Sequence, residues 1–111
     1  MTEPGSTLAA VLDVSVLIRG VLSRHGASGE VLQHLKSRRF TSFTCRQHLL
    51  EFHRALGYRR IRERCGLTEQ HRRRLVAQLY ARSVVLHFPP GPPLCRDPKD
   101  DYLVHLAVAA G

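Results

Sequence analysis

Nine acidic residues stand in this 111-residue chain, and five of them fall where chemistry could use them. Asp13 lies in the first apolar run, residues 9–20 (AAVLDVSVLIRG), at the end of its strand-like half. Glu51 sits within HLLEFHRAL (48–56), and Asp97, Asp100 and Asp101 crowd into RDPKDD (96–101). Carboxylates gathered from three such places offer the oxygen-only ligand set that Mg²⁺ or Mn²⁺ prefers. An ion so held activates water and neutralises charge on a phosphate during in-line hydrolysis. Each acid also has a plainer reading. Asp13 precedes a helix beginning near Ser15 and suits its N-cap. Asp97 suits the N-cap of the last helix, with Pro98 in the first position and Asp100 reaching back from the first turn. Helical periodicity turns Glu51 away from the Leu49/Phe52/Leu56 stripe, toward solvent. Which reading applies depends on whether the fold brings the three segments together.

Other chemistries find little support. The seven histidines, His25, His34, His48, His53, His71, His87 and His105, include no i, i+4 pair beside an acid, as a zinc protease would need; they read as surface or core residues. Cys45, Cys65 and Cys95 are odd in number and far apart, so ordinary reduced thiols are expected. Ser15 and Ser42 have no base partner in sequence. Residues 20–29, GVLSRHGASG, lack the lysine and spacing of a phosphate-binding loop.

The elements that must position the acids follow from the hydrophobic pattern. The unbroken apolar run at 9–20 fits a strand covered on both faces, and ligands of such open α/β sheets bind beyond the carboxyl ends of the strands. The pattern predicts a strand at 8–14, a helix at 15–22, a loop at 23–29, a helix at 28–38 and a short strand at 40–44. A helix begins near Cys45 with Leu49, Phe52, His53 and Leu56 on one stripe, and Gly57 ends or bends it. A basic turn at 58–64 is closed by Gly66. Thr68 caps the next helix, whose stripe is Leu75, Val76 and Leu79. A third strand is expected at 83–88, a rigid Pro/Gly turn at 89–93, and a last helix from Pro98. This βαβαβα order points to an α/β fold with a parallel sheet in a single domain, 1–111, with residues 1–7 a loose lead-in.

Charge narrows the partner. There are 17 basic against 9 acidic residues, a formal net charge of +8. The excess is concentrated at 53–82, where nine arginines face two glutamates. Arginine suits bidentate phosphate contact, so Arg59, Arg60, Arg62, Arg72, Arg73 and Arg74 are candidates to hold a nucleic-acid backbone. A solvated helix face, or a surface matched to an acidic protein, would show the same composition. No apolar run approaches a membrane span and the N-terminus carries no secretory pattern, so no membrane partner and a cytoplasmic address are expected.

Three segments together resemble the PIN-domain family, metal-dependent nucleases that include many bacterial toxin components. VLDVSVLIRG (11–20) is similar to the family's opening strand motif. HLLEFHRAL (48–56) is similar to its Glu-Leu-x-x-Val-Leu helix, and RDPKDDYLVHLAVAAG (96–111) to its Asp-rich helix start. The resemblance implies a three-layer α/β/α domain around a parallel sheet. It implies Asp13, Glu51 and Asp100 as the catalytic and metal-holding acids, with Asp101 close by and Ser15 and Asp97 in support. Mg²⁺ or Mn²⁺ as cofactor, RNA as substrate, a protein antitoxin as partner and a homodimer follow by the same implication. Ser15 stands where the family has Asn, and a serine can still hydrogen-bond a carboxylate. After such a helix the family adds a further strand and a fourth acid, so the expectation is a sheet with its last strand missing, weaker metal binding and slow cleavage. A non-catalytic module that binds nucleic acid or an antitoxin is the alternative.

Overall fold

A computed structural model describes residues 9–23, 26–37, 39–88 and 101–111. Among them, three strands and six helices follow one another: β1 (Ala9–Ala10), α1 (Val14–Leu22), α2 (Ala27–Lys36), β2 (Thr41–Thr44), α3 (Arg46–Leu56), α4 (Arg59–Cys65), α5 (Glu69–Ala81), β3 (Ser83–Val85) and α6 (Asp101–Ala110). The strands form one parallel sheet in the order β1-β2-β3. Parallel neighbours need crossover connections; α1 and α2 supply the first, and α3 to α5 the second. The α/β class expected from the sequence is the observed one, and the layering is that of an α/β/α fold.

The strands are shorter than their apolar runs. β1, expected over 8–14, pairs only Ala9 with Thr41 and Ala10 with Ser42. Two residues on, the Leu12 carbonyl is taken by the His48 side chain, and Asp13 turns the chain into α1. β3, expected over 83–88, ends at Val85 with one further ladder bond from Leu86 N to Thr44 O at 2.8 Å. Its partner β2 leaves the sheet there to begin α3, so nothing remains to pair. The turn at 89–93 and the residues from Pro98 to Asp100 lie outside the described residues.

The core joins Leu12, Leu17, Leu35, Phe52, Leu56 and Leu79 from four helices and the β1–α1 junction. Burying one such side chain is worth roughly 1.5–3 kcal/mol. Helix α3 was expected to bury Leu49, Phe52, His53 and Leu56. Phe52 and Leu56 are indeed buried, but His48 and Ala55 join them, while His53 sits half-exposed against Glu69. The helix packs on both α1 and α5, so the covered face is wider than one stripe and is turned toward 48 and 55.

One face of β2 is unusual for a central strand. Ser42 and Thr44 are both fully buried. Their hydroxyls are satisfied laterally, Ser42 by the Ser83 hydroxyl at 3.0 Å and Thr44 by His48 Nδ1 at 2.7 Å. Buried hydroxyls cost little once paired. Helix α4 ends in Gly66 with φ +62°, a left-handed C-cap that favours glycine. Thr68 then opens α5 in a reciprocal cap with His71. No helix among the described residues is long and apolar enough to cross a membrane.

Candidate active site

The candidate site lies where the strands hand over to their helices. Asp13 caps α1: its Oδ1 accepts from Ser15 N at 3.1 Å, and its carbonyl accepts from Val16 N and Leu17 N. The plainer reading of this acid is therefore true, and it does not exclude the other. The side chain is exposed at the carboxyl end of β1, and its Oδ2 has no protein partner among the described residues. A negative charge there is favoured by the helix N-terminus it caps.

Glu51 departs from the solvent-facing position that periodicity predicts. Its side chain is only 20% exposed. The reason is α1, which covers that side of α3: Glu51 lines a cleft of about 380 Å³ together with Val14, Ser15 and Ile18 from the first turns of α1. Arg54 and Gln47 both bond Glu51 Oε1, at 3.0 and 3.2 Å, which leaves Oε2 uncommitted among the described residues. Asp13 thus caps the first turn of α1, and Glu51 shares a cleft with Val14 and the exposed Ser15 of that turn.

Asp97 and Asp100 lie outside the described residues. Asp101, half-buried, is the first residue of α6 and does take part in contacts. Helix α6 is docked on α3 and β2. The Tyr102 ring, one residue beyond Asp101, lies with its centroid 6.3 Å from that of His48. Among the described residues no three His, Cys, Asp or Glu side chains form a cluster able to hold a metal ion.

His48 links these pieces. It is completely buried, and its Nε2 lies 2.6 Å from the carbonyl of Leu12, the residue before Asp13. A carbonyl only accepts, so Nε2 carries the proton and donates. Nδ1 is then an acceptor and takes the Thr44 hydroxyl proton. The neutral ring so defined is favoured by burial, which lowers the His48 pKa from its ordinary value; the Leu12 bond and the nearby Asp13 charge oppose that shift only in part. This residue read as one of several unremarked histidines in sequence. The signal was its place four residues after Thr44 across the strand-to-helix junction.

The basic residues divide into two groups. Arg60, Arg62 and Arg74 are exposed and have no ion pair among the described residues. Arg59 pairs with Glu63 at 3.0 Å and Arg73 with Glu69 at 3.1 Å, both on the surface. Arg72 turns inward, contrary to the sequence reading. It is 18% exposed, binds Glu69 through Nη1 at 2.6 Å and donates from Nη2 to the His53 carbonyl at 2.7 Å. It holds α5 to the end of α3, where Gly57 leaves room: a Cβ at Gly57 would collide with the guanidinium. The Glu69 pKa is held below its ordinary value, chiefly by the His53 hydrogen bond and further by Arg73 and Arg72. Cys45 and Cys65 are free thiols, and Cys95 lies outside the described residues.

No match is found among curated proteins or among solved structures. A family model described as PIN domain matches residues 9–111, nearly the whole chain, and takes in the strand end at Asp13, the helix bearing Glu51 and the start of α6. PIN domains are generally nucleases and typically depend on a divalent metal ion. With a parallel sheet that hands over to α1 at Asp13, and a sequence matched over this length, the chain belongs to the PIN-domain family.

Proposed function

We propose that this PIN domain is a metal-dependent endoribonuclease of the bacterial-toxin type, working in the cytoplasm on RNA. The observation that carries the reading is Asp13 capping the first turn of α1 and Glu51 in the cleft lined by Val14 and Ser15 of that turn, each with one carboxylate oxygen uncommitted among the described residues. The donor set is all oxygen, which suits Mg²⁺ or Mn²⁺ and not a soft metal. Asp13 and Glu51 would hold the ion, with Asp101 supplying an acid from the start of α6 and Asp100, its neighbour in sequence, a further one. When bound, the ion supplies charge neutralisation at the phosphate and a lowered pKa for water.

The chain's own residues do the rest. Arg54 and Gln47 fix one oxygen of Glu51 and so orient the other. His48 ties the Leu12 carbonyl and thereby sets where Asp13 leaves the strand. Arg59, Arg60, Arg62, Arg73 and Arg74 draw the RNA backbone to this face, a contribution that weakens as salt rises. Arg72 is left out of that set, because it is engaged inside the protein. A toxin of this type would be held by an antitoxin protein, and the arginine-rich face suits an acidic one. The β1 edge of the sheet offers a surface for a homodimer.

The test is RNA cleavage with Mn²⁺ or Mg²⁺, comparing the native chain with Asp13→Asn and with EDTA. Asparagine caps a helix as well as aspartate does, so α1 and the fold are kept while the charge is lost. Metal-dependent cleavage by the native chain that falls at least 100-fold (about 2.7 kcal/mol of barrier) in the variant is the expected result. RNA binding without cleavage by either protein overturns the enzyme and leaves a nucleic-acid-binding module.

A further inference from the structure

The cleft that holds Glu51 extends past the carboxylates along walls that the proposed chemistry does not use. Both α1 and α3 start from the carboxyl edge of the same parallel sheet, so their residues advance in the same sense away from it. On α1, Ser15 and Arg19 are four residues apart; on α3, Glu51 is followed by Ala55 and then Tyr58, one turn at a time. Tyr58 N bonds Ala55 O across Gly57 in a tight last turn, which keeps the tyrosine close to the end of α3 before the chain extends into α4. At about 1.5 Å per residue, Tyr58 lies roughly 10 Å from Glu51 along this wall. Ile18 and Ile61 line the cleft there.

Two properties of this far end call for a ligand with a flat apolar face and a negative charge. The Tyr58 side chain is 56% exposed although it lines a cleft floored by aliphatic groups. The charge around it is positive: Arg19 on one wall is exposed without an ion pair among the described residues, and α4 begins at once with Arg59, Arg60 and Arg62. An unpaired nucleotide meets both demands. Its base has a π-face for the phenol ring, and its phosphates meet the arginines. A duplex does not, because its bases are already stacked and its edges cannot reach the ring.

We propose that Tyr58 is a base-stacking, specificity-determining residue for an unpaired nucleotide next to the phosphate held near Glu51, with Arg19 on the adjoining phosphate. The contact needs that base unstacked, so it is lost when the same strand is annealed to its complement. The proposal rests on the ribonuclease reading for the identity of the nucleic acid, but its test does not need cleavage.

The experiment is fluorescence-anisotropy binding in EDTA, using a labelled oligoribonucleotide alone and annealed to its complement. The proteins are the native chain, Tyr58→Phe, Tyr58→Ala and Arg19→Ala, each checked by circular dichroism. Tyr58→Ala weakens single-strand binding roughly 10- to 100-fold and leaves duplex binding and the salt slope unchanged. Tyr58→Phe binds as the native chain does, because the ring is kept. Arg19→Ala lowers the salt slope by about one unit. Failure of cleavage with this binding pattern intact sinks the enzyme reading and keeps the stacking site. Equal loss on single strand and duplex, or no loss in Tyr58→Ala, overturns the proposal; the second result, with Tyr58 protected on adding a protein partner, assigns the cleft to that partner. A native chain that binds no single strand overturns it too.

Discussion

The His48 link is open to a direct energetic test through His48→Leu. Leucine fills much of the ring's space but offers no polar atom. Two buried groups then lose their partner, the Leu12 carbonyl at 2.6 Å and the Thr44 hydroxyl at 2.7 Å. Thr44 Oγ1 would be left with only the Cys45 carbonyl at 3.5 Å, too long to replace it. Leaving a buried polar group unpaired costs roughly 1–3 kcal/mol, so the pair amounts to about 2–5 kcal/mol. That is a large part of the stability of a chain this size. With a urea m-value of roughly 1–3 kcal/mol/M, the midpoint should fall by on the order of 1–2 M, read by circular dichroism. Thr44→Val in the same chain removes one orphan, so the double variant should be more stable than His48→Leu alone by about 1 kcal/mol. A His48→Leu variant within about 0.5 kcal/mol of the native chain, or two substitutions that simply add, would refute the link.

Other outcomes follow from the same geometry. The folded state holds the His48 pKa below 6.5 by burial, so the unfolded chain binds more protons near that pH and stability falls as pH drops through and below 6.5. Urea midpoints measured from pH 7.5 to 5.5 should show that fall, and His48→Leu should flatten it; a native midpoint that rises on acidification would contradict the assignment of a neutral ring. Thr68→Ala removes the hydroxyl that accepts from His71 N at 3.1 Å and opens the cap of α5. It should cost about 1 kcal/mol, and Thr68→Ser much less, by the same denaturation measurement.

The order of elements was legible because each had its own local signal. Thr68 before Glu69, Gly66 after Arg64, and the Phe52/Leu56 pair each act within a few residues, and all three sit where the pattern puts them. Ladder lengths were not legible. The run at 9–20 is apolar throughout, and only the side chain of His48, 36 residues away, shows why pairing stops at Ala10. Glu51 failed a periodicity argument because periodicity knows one buried face, whereas α3 has neighbours on more than one side. Arg72 sits in a run of three arginines that sequence treats alike. Gly57, just past the end of α3, leaves the room into which this one turns.

The sharing of β2 between both ladders bears on how the molecule assembles. Joining Ala9 to Thr41 and joining Ser42 to Ser83 each close a loop of tens of residues. Closure entropy grows only with the logarithm of loop length, so it hardly distinguishes the two. What does distinguish them is what waits at the end: among the described residues β2 and β3 share three residue pairs and a hydroxyl bond, β1 and β2 two pairs. The β1–β2 ladder is thus the one expected to open first in a native-state fluctuation. Asp13 stands three residues beyond that strand, and the imidazole of His48, bonded to the Leu12 carbonyl, is the latch that ties the intervening turn to α3.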